Sequence, residues 1–196
     1  LSSLDAKLRA GMRSELKLLH KSLSEESRGR KETFVYVTHD QVEALTLGTK
    51  IAVMNEGAMV QLATPTELYR KPRNLFSATF VGSPAINLIE GVLERSNETA
   101  VFHFQGYDVL TGSIGLAALR HAGRGKMPVI LGIRPESTKI VAQGTPGSLS
   151  TEVVTVEPLG QINLVTLKIG DLGLTSLVSL DVSVQDGQNV CIYIQP

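Results

Sequence analysis

The chain has 196 residues, enough for one large domain or two small ones. Hydrophobic residues make up 42% and charged residues 19%, and the formal net charge is zero, which argues against a protein built mainly to grip a phosphate backbone. One cysteine, Cys191, excludes an intrachain disulfide and suits a reducing cytoplasm, and no apolar stretch approaches the ~18–20 residues that span a bilayer.

The sequence starts without methionine, shows no signal peptide, and its first residues read as the interior of an element, so a fragment of a longer protein is expected. Leu4, Leu8, Met12, Leu16, Leu19 and Leu23 recur at spacings of four and three, which predicts a helix with one apolar stripe. Ser2 or Ser3 suits its N-cap, and Asp5 suits its first turn. Residues 24–32 hold no apolar side chain and read as a solvated loop. Residues 34–37 (FVYV) form a short continuous apolar run, as expected of a strand covered on both faces in a parallel sheet. Asp40 is placed to cap the next helix, with Glu43 completing a capping-box pattern.

Residues 51–54 and 59–62 flank the turn NEGA and predict a hairpin. Thr64, Pro65 and Glu67 mark a helix start by cap, first-turn proline and third-position glutamate; that helix stops near Pro72. A short helix over 75–81 ends at Gly82. After about residue 90, valine, isoleucine, threonine and glycine dominate. Short strands such as 153–156 and 164–169 alternate with turn signals and predict an all-β sandwich or small barrel. One short helix is expected near 116–122, and the two strand-rich halves, 90–142 and 150–196, read as half-barrels. The domain boundary falls in the connector 82–90, dividing the chain into 1–85 and 86–196.

His39 stands where the apolar run meets a helix start. Alone it reads more readily as a half-buried histidine that orients a loop. Its position argues for more, because ligands of parallel α/β sheets collect outside the carboxyl ends of the strands, and an imidazole there can hydrogen-bond a phosphate. Arg134 and Glu136 read as a ligand pair or as an ion pair anchoring a turn, and Pro158 and Gly160 as turn residues.

Taken together, LSSLDAKLR at 1–9 and YVTHDQVEAL at 36–45 resemble the D-loop and H-loop of the ATP-binding-cassette ATPases. Ser3 stands where that family often has asparagine, and the spacing from Asp5 to His39 is longer than usual. The stretch 50–91 resembles the end of the nucleotide-binding domain in importer ATPases of the maltose and glycerol-3-phosphate type. LGIRPE at 131–136 and VEPLGQINLVTL at 156–167 resemble the appended OB-like β-barrel (TOBE) domain of the same subfamily.

The resemblance implies an α/β remnant of a nucleotide-binding domain over 1–85, followed by an all-β OB-like barrel. It implies that His39 is the switch histidine facing the γ-phosphate, and that Ser3, Leu4 and Asp5 reach across a head-to-tail dimer toward the partner's phosphate loop. It further implies ATP and Mg²⁺ in the full-length protein, membrane permease subunits as partners, a solute-binding protein acting indirectly, and a peripheral place on the inner face of the membrane. No cofactor, resident metal or nucleic-acid partner is expected of the fragment. It contains no G-x-x-x-x-G-K-[ST] and no LSGGQ-type signature, so it is not expected to hydrolyse ATP alone. Two alternatives stay open: a stand-alone regulatory or dimerisation barrel binding a small ligand or regulator, and an ATPase subunit serving polyamine, iron or molybdate import.

Overall fold

The structure is a computed structural model that describes residue 8, residues 11–19, residue 22 and residues 33–195. The chain divides into two compact units, Leu1–Gly82 and Ser83–Pro196.

In the first unit, residues 8, 11–19 and 22 are helical. Their apolar stripe is at the surface, with Leu8 64% and Met12 53% exposed. The expected N-cap and the loop 24–32 lie outside the described residues. Helix α1 (Gln41–Leu47) leads to an antiparallel hairpin, β1 (Ile51–Asn55) and β2 (Ala58–Ala63), turned by Glu56 and Gly57 at positive φ. Thr64 then caps α2 (Pro65–Arg70) with both halves of a capping box in place: its hydroxyl accepts from the Glu67 amide, and the Glu67 carboxylate accepts from the Thr64 amide at 3.0 Å. The Thr64 amide and the Thr64 hydroxyl, which donates at 2.8 Å, hold the Glu67 carboxyl below the usual carboxylate range. Asn74 caps α3 (Leu75–Phe80). Val53, Leu68 and Val81 form the small core, with Leu45, Ile51 and Phe76 packed on it. Buried Gln61 accepts from the Arg73 amide at 2.9 Å and so fixes the turn between α2 and α3. Among the described residues this unit holds one antiparallel hairpin and no parallel strand pair.

The second unit carries two sheets on one core. The first sheet has the order β5-β4-β3-β6, from β3 (Asn87–Ser96), β4 (Thr99–Phe104), β5 (Tyr107–Leu110) and β6 (Lys126–Ile133), all antiparallel. Helix α4 (Gly112–Ala122) covers its inner face. Close approach there demands glycine: a Cβ on Gly115 would sit 2.0 Å from Thr111 Oγ1 and 2.8 Å from the Ala100 methyl. Gly91 is equally constrained, because a Cβ would lie 2.4 Å from the His103 carbonyl and 2.5 Å from the Phe102 ring.

The second sheet has the order β10-β9-β8-β11-β7, from β7 (Thr138–Val141), β8 (Leu149–Pro158), β9 (Ile162–Ile169), β10 (Leu172–Ser179) and β11 (Asn189–Ile194). Buried and exposed residues alternate along β9 to β11, so one face of each strand is turned to the core. In β8 the phase changes at a bulge between Val153 and Thr155. The extra residue, Val154, is exposed, and Val156 returns to the core side.

The sequence halves 90–142 and 150–196 do not coincide with the sheets. The chain changes sheet earlier, at the 3₁₀ turn Pro135–Ser137, and β7 joins the second sheet by pairing with β11. Pro135 fixes that turn, and the Ser137 amide closes it on the Arg134 carbonyl at 2.9 Å.

Two polar contacts close the unit. The edge strands of the second sheet meet where the buried hydroxyls of Thr138 and Ser176 hydrogen-bond at 2.5 Å, with the Thr138 hydrogen given to the Pro135 carbonyl at 2.8 Å and that of Ser176 to Thr138 Oγ1. The Asn87 side chain in β3 reaches β10: its Nδ2 donates to the Thr175 carbonyl at 2.8 Å and to the Ile133 carbonyl at 3.1 Å, and its Oδ1 accepts from the Thr175 amide at 2.7 Å. Asn87→Ala strands the Thr175 amide and both carbonyls, and is expected to cost about 1–3 kcal/mol. Asn87→Asp is expected to be no better, since it sets an acceptor against two carbonyl oxygens. Urea unfolding checks both.

On the outer face of the first sheet, Asp108, His103, Glu94 and Lys126 form a ladder across all four strands. The Lys126 ammonium, 2.7 Å from Glu94, holds the Glu94 carboxyl below the usual carboxylate range. A depressed folded pKa adds stability above the unfolded value, and that stability is lost as pH falls through the folded pKa. Glu94→Gln is therefore expected to lower stability slightly at neutral pH and to leave it unchanged once both forms are protonated. Thermal unfolding over that acid range reads the difference.

Candidate functional site around His39

The run 34–37 does not form the expected buried strand. Residues 33–38 take no regular structure, and Val35 and Val37 are 88% and 91% exposed. A strand covered on both faces buries both rows of side chains and pairs with neighbouring strands, and here Val35 and Val37 stay open and no described residue pairs with 33–38 as a strand. His39 is nevertheless held in a defined loop. Asp40 is the N-cap of α1, with its Oδ1 accepting from the amides of Val42 at 2.8 Å and Glu43 at 3.2 Å.

The reciprocal half of the expected capping box is absent. The Asp40 amide donates to Thr38 Oγ1 at 2.9 Å, so that donor is already used. Glu43 turns elsewhere: its Oε2 accepts from the Thr38 hydroxyl at 2.6 Å and from the Tyr36 hydroxyl at 3.2 Å. That hydrogen bond, with the negative charge nearby, raises the Tyr36 pKa and keeps its hydroxyl a donor. The His39 ring is exposed and makes no hydrogen bond or ion pair with the described residues. It lines an open cleft of about 340 Å³, with Met12, Arg13 and Leu16 on the opposite helix. At the start of the same α1, Gln41 Oε1 accepts from the Gly82 amide at 3.0 Å and ties down the end of the first unit.

Ser3, Leu4 and Asp5 lie outside the described residues. Arg134 and Glu136 flank Pro135 at the sheet-changing turn, and Pro158 and Gly160 lie at the β8–β9 turn, closed by the Leu159 amide on Ile162. Among the described residues no group of three or more His, Cys, Asp or Glu is placed to hold a metal, and no helix is long and apolar enough to cross a membrane. Glu43 was legible only as a cap from its spacing. Its true partners, Thr38 and Tyr36, lie five and seven residues upstream in a segment without helical or strand period.

Residues 82–138 match the MalK OB fold domain. The chain is 44% identical over 171 residues to the sn-glycerol-3-phosphate import ATP-binding protein UgpC of Salmonella paratyphi A, covering 87% of this chain and 44% of that protein. The chain is a relative of ABC importer ATP-binding proteins. UgpC of Yersinia pestis bv. Antiqua is 39% identical over 198 residues, covering all of this chain and 50% of that protein. The ABC transporter ATP-binding protein y4oS of Sinorhizobium fredii is 38% identical, covering 97% and 47%. This importer-ATPase relative thus spans about half the length of the curated proteins it matches. Its matched OB-fold stretch takes in the first sheet and α4 and ends at Thr138, where β7 begins. A solved structure of the cytoplasmic molybdate-binding protein ModG covers 56% of the chain at 16% identity and a TM-score of 0.44, a likeness too slight to bear on function.

Within this relative of importer ATPases, the loop's local stability rests on the cap. Asp40→Ala is expected to cost about 1 kcal/mol and to loosen the first turn of α1, while Asp40→Asn keeps most of it. Amide exchange at Val42 and Glu43 reports the change directly.

Proposed function

We propose that the chain is the C-terminal part of the ATPase subunit of an ABC importer for glycerol-3-phosphate, sugars or related polar solutes. Residues 1–85 are the tail of its α/β nucleotide-binding domain, and 86–196 its OB-like regulatory domain. The observation that carries this is identity of 39–44% to sn-glycerol-3-phosphate import ATP-binding proteins over 87–100% of the chain, spanning both the His39 segment and the OB-fold stretch.

The exposed run 34–37 and the exposed stripe of Leu8 and Met12 support the same reading, since a domain tail carries apolar surface that the rest of its domain covers. ATP is the substrate, with Mg²⁺, in the complete protein. His39 presents an imidazole without a partner among the described residues, from a loop fixed on both sides. There it donates a hydrogen bond to the γ-phosphate and helps hold the attacking water in line. Phosphoryl transfer draws most of its catalysis from such positioning and charge stabilisation. Ser3, Leu4 and Asp5 serve the dimer interface, linking two sites that close head to tail. Closure is passed to the membrane permease subunits, and the protein works as a peripheral subunit on the cytoplasmic face.

In the complete transporter, His39→Ala is expected to cut ATP turnover by about 100-fold or more and to abolish uptake, with an unchanged circular dichroism spectrum. ATP hydrolysis at the wild-type rate by a folded variant returns His39 to a loop-orienting role and removes the reading of the site.

A further inference from the structure

The Glu43 carboxylate is not required by the helix it belongs to. Asp40 alone accepts from both first-turn amides, and the Asp40 amide is satisfied by Thr38. Capping therefore makes no use of the Glu43 carboxylate, whose own helix gains from it only through the dipole of the first turn. What that charge does is gather two hydroxyls from the segment that enters the His39 loop, Thr38 at 2.6 Å and Tyr36 at 3.2 Å. Hydrogen bonds to an ionised acceptor are shorter and about twice as strong as neutral ones.

Thr38 shows the consequence. Its hydroxyl has one hydrogen, which goes to Glu43, so a lone pair is directed at the Asp40 amide across His39. The residue before His39 is thereby tied to the first turn of α1 from one side, and the residue after it from the other. The imidazole itself has no partner among the described residues. A fixed backbone under a free ring is the arrangement required of a group that must meet a ligand without reorganising.

We propose that Glu43 is the positioning residue for His39, acting through the Thr38 and Tyr36 hydroxyls to fix the loop that carries the imidazole. The proposal rests on the reading of His39 as the phosphate-facing residue. Glu43 touches no substrate. Removing its carboxylate displaces the ring and lowers the rate of hydrolysis without weakening nucleotide binding.

The test is steady-state ATP hydrolysis by the complete transporter carrying Glu43→Ala, Glu43→Gln, Thr38→Val, His39→Ala, and the double variant His39→Ala/Glu43→Ala. Glu43→Ala is expected to lower kcat about tenfold to a hundredfold with KM for ATP unchanged. Glu43→Gln, whose amide oxygen still accepts from Thr38, is expected to recover most of the loss. Thr38→Val, which breaks the link from the other end, is expected to reproduce it and serves if Glu43→Ala does not fold. The double variant is expected to be no slower than His39→Ala alone. Wild-type kcat in folded Glu43→Ala and Thr38→Val overturns the proposal while His39→Ala remains inactive. A loss that adds to that of His39→Ala also overturns it, because Glu43 then acts elsewhere. Wild-type turnover by His39→Ala removes the underlying reading instead, whatever Glu43 does.

Discussion

The C-terminal unit depends on one amide. Asn87 stands on β3 of the first sheet, yet its side chain completes the hydrogen bonding of Thr175 on β10, an edge strand of the second. An exposed edge invites pairing with another chain. Here both the amide and the carbonyl of Thr175 are taken by a side chain that can donate and accept at once. The same amide group also reaches the Ile133 carbonyl, so it sits where β3, β6 and β10 converge. Only asparagine or glutamine offers that combination, and only the shorter of the two keeps the strands this close. The buried Thr138–Ser176 hydrogen bond then brings the opposite edges of the second sheet together. Around these contacts one continuous core forms, from Ile89 and Phe102 through Leu167 and Ile192.

The His39 loop follows the same logic on a smaller scale: a few polar groups set a backbone whose own side chains are largely exposed. Helix α1 contains no fully buried residue, and Leu45, past its first turn, is its contact with the small core, so polar groups set its entry. Asp40, Thr38 and Glu43 do that work by direct hydrogen bonds. Gln41 extends the network to Gly82, the last residue of the first unit, where φ is +122° and glycine is the residue that tolerates it. The helix that begins at the candidate phosphate-facing histidine is thus the one that holds the exit of its own unit.

Much of this was legible in advance. The α2 capping box, the β1–β2 hairpin and the α4 helix follow from residue types at short spacings, and the structure forms each of them. The all-β character of the C-terminal part followed from its β-branched runs and turn residues. The bulge in β8 and the change of sheet at Pro135–Ser137 did not, because bulges and crossovers are settled by which strand a residue meets across the sheet. The run 34–37 was misread in one respect. Its composition suits a buried strand, but burial is a property of neighbours, and among the described residues Val35 and Val37 stay open.

By itself the sequence determined the local elements, the class of the second unit and the kinship signalled by the blocks around Asp5 and His39. Those properties depend on side-chain chemistry within a few positions, where helix, turn and cap energetics act. The tertiary structure decided that Asn87 closes the barrel-bearing unit, that Gly91 and Gly115 stand under Phe102 and Ala100, and that Glu43 serves Thr38 and Tyr36 rather than its own helix. The physical reason is common to all three. A hydrogen bond or a close approach is made by whichever group arrives within about 3 Å, and along an unpatterned segment the sequence does not specify which group that is.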